Sequence, residues 1–130
     1  MNQFFKSRLC SFHHAFAGWW FVIRTQKNAW IHALVSVAVI GVSAWLQINT
    51  LRWALIVLAI ALVWTAEFIN TALEAVVDLA SQHEYHRLAR VGKDVGAAAV
   101  LIAAFSSVLI GLLVLGAPLW HRLQLIMKHP

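Results

Sequence analysis

Three apolar runs, each long enough to cross a bilayer, lie between Trp30 and Trp120 of this chain of 130 residues. The first runs over 30–48, with Trp30 and Trp45 towards its ends and His32 as its one strongly polar residue. Its 19 residues make a helix of about 28 Å, against roughly 30 Å of hydrocarbon. Tryptophans favour the membrane–water interface, so their placement fits a span. The second run covers 53–79, apolar in its first half and polar in its second; the third covers 94–120 and starts on the small residues Gly96, Ala97, Ala98 and Ala99. Between the runs, 47–52 reads as a short connection and 81–92 as a polar loop or helix end. Pro118 and the polar residues after it mark the end of the third run. Composition decides that these are spans and not a soluble core. The chain is 62% hydrophobic and 12% charged, where a soluble domain has about 45–50% apolar and about 25% charged residues. So short a chain cannot bury that surface by itself, and lipid must cover much of it.

Ahead of the spans, residues 4–24 carry Phe5, Leu9, Phe12, Phe16, Trp19 and Ile23 at steps of three or four. That is one helical face, with Lys6, His13, His14 and Arg24 among the polar positions. An amphipathic helix of this kind suits the membrane interface, or packing against the spans. The expected fold is therefore one all-α integral membrane domain over 1–130: an N-terminal amphipathic interfacial helix followed by three transmembrane helices.

Charge orients it. Three spans put the chain ends on opposite sides. Lys6, Arg8, Arg24, Lys27, Arg87, Arg90 and Lys93 share the N-terminal side, against Arg52, Arg122 and Lys128 on the other. Basic residues accumulate in the cytoplasm, which places the N-terminus and the 81–93 stretch there. The formal charge of +5 thus belongs at anionic head groups, and no basic stripe or motif supports nucleic-acid binding. Cys10 is the single cysteine, so no intrachain disulfide can form. Residues 4–20 are too interrupted by charge for a cleavable signal peptide.

All five acidic residues fall between 67 and 94: Glu67, Glu74, Asp78, Glu84 and Asp94. At 100° per residue, Glu67, Asn70, Glu74 and Asp78 form a helical stripe about 80° wide. Stacked carboxylates repel unless a cation or proton sits among them, and ionisable groups near a bilayer usually serve function. Mg²⁺ typically takes one or two protein carboxylates plus phosphate oxygens. Asp78 and Glu84 read equally well as a solvated face, and Asp94 as a helix cap. Glu67 does not, because Trp64, Phe68 and an apolar run surround it; a carboxylate there suits a general base. Lys93 can meet phosphate oxygens as a point charge. There is no soluble-type phosphate loop, and the histidines of 83–86 lack the spacing of a zinc helix.

The run EFINTALEAVVD at 67–78 resembles the signature of the prokaryotic diacylglycerol kinase family, which includes the undecaprenol kinases, and GKDVGAAAV at 92–100 resembles its second motif. Ser11, Phe12, Ala15 and Gly18 resemble its N-terminal helix, and Arg24, Thr25, Asn28, Ile31 and His32 the stretch before its first span. The resemblance covers roughly residues 6–115. It implies a homotrimer in the bacterial inner membrane, with active sites shared between protomers, that transfers the ATP γ-phosphate to a lipid hydroxyl. It implies Glu67 as general base at the substrate, with Ala97 beside the substrate, and Glu74 and Gln26 as Mg²⁺ ligands. Arg8, His14, Gln26, Asn70, Glu74, Glu84, Tyr85, His86, Lys93 and Asp94 would meet the nucleotide. Three positions depart from the family pattern. Gln26 stands where the family has glutamate, offering an amide oxygen without charge, so metal affinity should fall unless a neighbouring carboxylate compensates. His14 replaces a tyrosine, and Ala97 stands where serine is frequent. The lipid is diacylglycerol or undecaprenol: the 84–86 loop resembles the diacylglycerol branch and the 24–32 stretch the undecaprenol branch, with a slight lean to the former. The alternatives are an altered member that binds lipid or nucleotide without turnover, and a structural membrane protein whose acidic stripe meets basic partners.

Overall fold

The computed structural model describes residues 3–82 and 84–128, with side chains described from Lys6 onward. The described residues form four helices: α1 (Gln3–Thr25), α2 (Lys27–Trp45), α3 (Thr50–Ser81) and α4 (Arg87–Lys128). His83 and the side chain of Phe5, both used in the sequence reading, lie outside the described residues. Helices α2, α3 and α4 are each long and apolar enough to cross a membrane, and the chain is a multi-pass membrane protein.

Local chemistry sets the breaks. Gln26 alone is extended (φ −100°, ψ 116°) and separates α1 from α2. The hairpin between α2 and α3 closes with Gln47 in the left-handed region and Asn49 as N-cap, whose side chain accepts from the Arg52 amide. That cap starts α3 at Thr50, so the connection is 46–49, shorter than the polarity of 47–52 predicts. Gln82, also left-handed, ends α3. At the next connection the structure resolves an open reading: Arg87–Lys93 is the start of α4, not a loop. At the far end α4 runs through Pro118 to Lys128. Membrane helices carry a proline where local adjustment or a neighbouring group re-satisfies the carbonyl that it leaves unpaired.

Helix α3 packs against each of the others. Its antiparallel register with α2 is read from three pairs: Trp64 Nε1 donates to Ser36 Oγ (3.2 Å), Glu67 faces His32, and Gln26 Nε2 donates to Glu74 Oε2 (3.1 Å). With α4 the register runs from Lys93 at Asp78, through Gly96 at Asn70, to Ser107 Oγ donating to the Ala59 carbonyl (2.8 Å). Ile56, Ile48, Val114 and Leu115 form the core at the hairpin end. At the opposite end Val22, Ile23 and Ala29 pack on Trp64 and Phe68, and Trp19 of α1 stacks on Trp64 with ring centroids 5.2 Å apart. Of the apolar face expected on α1, Trp19 and Ile23 dock in this way, while Leu9, Phe12 and Phe16 stay exposed.

Length places the polar groups. Helix α2 has 19 residues, one bilayer crossing, whereas α3 has 32, about 48 Å. Counted from the hairpin, some 20 residues cross the roughly 30 Å core. Helix α3 therefore leaves the hydrocarbon near Asn70, and its last three turns stand beyond it. Leu34, Val37, Leu58, Leu101 and Leu113 are exposed along the spans, surface that lipid or another membrane chain must cover.

Candidate active site

The stripe expected from helical spacing is present, and each member meets a different neighbour. Glu67 is 1% exposed. Its Oε2 lies 3.7 Å from His32 Nε2 of α2, and neither of its oxygens has a hydrogen-bond partner among the described residues. One turn on, Asn70 Nδ2 donates to Glu74 Oε1 (2.9 Å), while its buried Oδ1 is unpartnered and faces Gly96. Glu74 accepts from two carboxamides, Asn70 on Oε1 and Gln26 on Oε2. Beyond it, Asp78 pairs with Lys93 of α4. A single helical face thus carries a dry carboxylate, an amide-clamped carboxylate and an ion pair, in order from the hydrocarbon outward.

Gly96 makes the middle of this arrangement possible. A Cβ there would collide with the Asn70 carboxamide oxygen and crowd Leu73. Without one, α4 comes close enough to α3 to seat Asn70 beside Glu74.

The donor set around Glu74 fits a divalent cation. The Glu74 carboxylate of α3 and the carboxamide of Gln26, at the start of α2, are already within hydrogen-bond distance, and rotating the Gln26 amide presents its oxygen beside the Glu74 carboxylate. Two such oxygens leave room for phosphate and water ligands, as Mg²⁺ prefers. Among the described residues, no three His, Cys, Asp or Glu side chains converge as a metal cluster.

At the outer end of the stripe lies an open cavity of about 530 Å³, lined by Asp78, Ser81, Glu84, Tyr85, His86, Ala89, Arg90, Lys93 and Asp94. It gathers five of the residues expected at the nucleotide: Glu84, Tyr85, His86, Lys93 and Asp94. Lys93 and Arg90 bring positive charge, and Arg90 Nε sits 3.7 Å from Asp94 Oδ2. Tyr85 is exposed at the rim. The remaining expectations are not brought to these two places within one chain. Arg8 is exposed on α1; His14, also exposed, has its Nε2 3.4 Å from Cys10 Sγ. Ala97 is exposed on α4, next to the buried Gly96.

Sequence spacing missed two partners. In sequence, His32 reads as a polar residue near the end of a span, within the family-like stretch before it, and Asp78 equally well as a stripe member or a solvated carboxylate; neither reading names a partner. The signal for His32 is register: once Gln26 is placed opposite Glu74, antiparallel counting puts His32 opposite Glu67.

The chain matches the family described as prokaryotic diacylglycerol kinase over residues 13–115. It is 42% identical over 111 residues to a diacylglycerol kinase of Synechocystis, covering 85% of this chain and 63% of that protein. It is 38% identical over 114 residues to an undecaprenol kinase of Bacillus subtilis, covering 88% and 89%. With a diacylglycerol kinase of Escherichia coli it shares 40% identity over 68 residues, 52% of this chain and 55% of that one. The matched region therefore spans less than two thirds of the Synechocystis and Escherichia coli relatives.

Proposed function

The chain belongs to the prokaryotic diacylglycerol kinase family, and on that ground we propose that it phosphorylates the hydroxyl of a membrane lipid alcohol with ATP. The observation that carries the reading is Glu67: a buried carboxylate with both oxygens unpartnered, two turns from the clamped Glu74. Glu67 takes the proton of the lipid hydroxyl. The lipid oxygen then forms its bond to the γ-phosphorus, the bond from that phosphorus to the β–γ bridging oxygen breaks, and ADP leaves with the electron pair. The proton on Glu67 passes to solvent after product release. Proton abstraction by a positioned base contributes about 10²–10⁴-fold; the rest comes from alignment and charge neutralisation.

Glu74 and Gln26 hold Mg²⁺ in this reading, which supplies neutralisation of the phosphate charge. Asn70 orients Glu74. The cavity bounded by Lys93, Asp94, Glu84, Tyr85 and His86 takes the nucleotide, and Lys93 exchanges Asp78 for a phosphate oxygen. Arg8 and His14 of α1 close over the nucleotide, and Ala97 lines the lipid side. Arg8, His14 and Ala97 are exposed within one chain, and in this reading a neighbouring copy in a homotrimer completes the site. The exposed small residues Ala97, Ala98 and Ala99 permit close helix approach there. Helix α1 lies in the interface through Leu9, Phe12 and Phe16, on the cytoplasmic side that the basic residues select.

Two lipids fit, diacylglycerol and undecaprenol, and relatives carry both names. The test is transfer of labelled phosphate from ATP, with Mg²⁺, to each lipid in mixed micelles, beside Glu67→Gln. Label in one lipid, lost in the variant, is the expected result and names the substrate. Folded protein that labels neither lipid favours a binding member without turnover. Equal labelling by Glu67→Gln removes Glu67 as base.

A further inference from the structure

We infer that His32 is a positioning residue for Glu67, holding Oε2 so that Oε1 is presented to the lipid hydroxyl. The inference rests on the reading of Glu67 as general base and deepens it. Buried polar atoms without partners are rare and costly, and each asks for an explanation. Here three of them, both Glu67 oxygens and His32 Nε2, sit on facing helices, with His32 Nε2 3.7 Å from Glu67 Oε2. That separation is too long for a hydrogen bond and short enough for an ion pair. Catalytic contacts are often long without substrate and tighten in the reacting complex.

The neighbours leave His32 as the group for this task. The Gln26 and Asn70 amides both donate to Glu74. The Thr71 hydroxyl, on the same face, donates to the Glu67 backbone carbonyl and not to its side chain. Trp64, which flanks His32 edge-on at 6.4 Å between ring centroids, spends its indole N–H on Ser36. An imidazole protonated on Nε2 donates to Oε2, fixes the carboxylate rotation and stabilises its negative charge in a dry site. Oε1 is then the one oxygen left to accept the substrate proton. The packing reading, a ring filling space beside Trp64, makes a different prediction, because a phenyl ring fills that space equally well.

The experiment is steady-state kinetics of detergent-solubilised His32→Phe, His32→Gln and Glu67→Gln against the lipid that the wild type phosphorylates. His32→Phe keeps the ring and removes the nitrogen; kcat is expected to fall on the order of 10- to 100-fold, less than loss of the base itself. KM for ATP and for lipid should stay within about twofold, the pattern of a contact realised only in the transition state. His32→Gln keeps an N–H donor and should recover part of the lost kcat. His32→Leu is the nitrogen-free substitute if the phenyl ring prevents folding, judged by thermal denaturation. Wild-type kcat in a folded nitrogen-free variant overturns the inference, as does a loss confined to KM or a His32→Gln no better than His32→Phe. If Glu67→Gln is inactive while His32→Phe is fully active, only this inference falls. If Glu67→Gln turns over normally, the base reading falls and takes it along.

Discussion

Glu74 is the residue at which a single neighbour changes the electrostatics most. Its Oε2 accepts from the Gln26 amide and its Oε1 from Asn70, so the carboxylate is satisfied without a cation. To bind one, Gln26 must turn its oxygen inward and give up a hydrogen bond worth about 0.5–1.5 kcal/mol. Gln26→Glu replaces that neutral clamp with a second carboxylate. Two carboxylates this close repel until a divalent ion neutralises them. The variant should melt lower than wild type without Mg²⁺, gain more on adding it, and reach half-maximal phosphate transfer at several-fold lower Mg²⁺. Paired melting curves and a Mg²⁺ titration of turnover check both arms; identical Mg²⁺ dependence in the two proteins would remove Gln26 from the metal site. Lys93 offers a second residue-scale test. Its ammonium lies on Asp78 at the edge of the cavity assigned to nucleotide. Lys93→Met should raise KM for ATP at least about tenfold, one lost charge contact of roughly 1.5–3 kcal/mol, while KM for lipid holds. An unchanged KM for ATP would put the phosphates elsewhere.

At the scale of elements, the α3–α4 seam has two points of close approach with different consequences. At Gly96 an added Cβ meets the Asn70 carboxamide and Leu73. Gly96→Val should therefore push the helices apart or turn Asn70 off Glu74. Overpacking of this kind costs about 1–3 kcal/mol, and the displaced Asn70 should also cut kcat. Farther along, Ser107 Oγ donates to the Ala59 carbonyl, remote from every proposed site residue. Ser107→Ala should cost on the order of 0.6 kcal/mol, the typical value for a hydrogen bond between membrane helices, and leave kcat unchanged. Equal kinetic damage in the two variants, measured beside their thermal midpoints, would break the link between the Gly96 contact and the site. The same seam shows what a sequence can disclose. The 67–78 stripe was legible because 3.6-residue spacing alone puts Glu67, Asn70, Glu74 and Asp78 on one face. Gly96 was legible as a small residue in a motif, but not as the atom-scale gap that seats Asn70. The His32–Glu67 and Lys93–Asp78 pairings depend on the register between helices, which no periodicity within one helix contains. The start of α4 at Arg87 stays open between loop and helix in the sequence for a related reason: polarity marks where a helix leaves lipid, not where its hydrogen bonds begin.

For the molecule as a whole, helix lengths and charge combine into one statement about sidedness. The α2–α3 hairpin at 46–49 lies at one membrane face. Gln26, Glu74, the cavity bounded by Glu84 and Lys93, and the start of α4 lie at the other, because α2 makes a single crossing while α3 overruns it. The proposed phosphate transfer requires the cavity to meet ATP and so to face the cytoplasm, and seven of the ten Lys and Arg residues are on the cavity side, the bias expected of a cytoplasmic face. The two arguments are independent and agree. The chain offers a direct test, since Cys10 is its single cysteine and is exposed on α1. In intact cells a membrane-impermeant maleimide should leave Cys10 unlabelled and react with it only after permeabilisation. In a Cys10→Ser background, Thr50→Cys at the hairpin should label in intact cells, and Glu84→Cys at the cavity rim only in permeabilised ones. Labelling of Glu84→Cys from outside would invert the topology. The cavity would then face a compartment without ATP, and the kinase reading would fail on geometry alone, whatever the chemistry of Glu67.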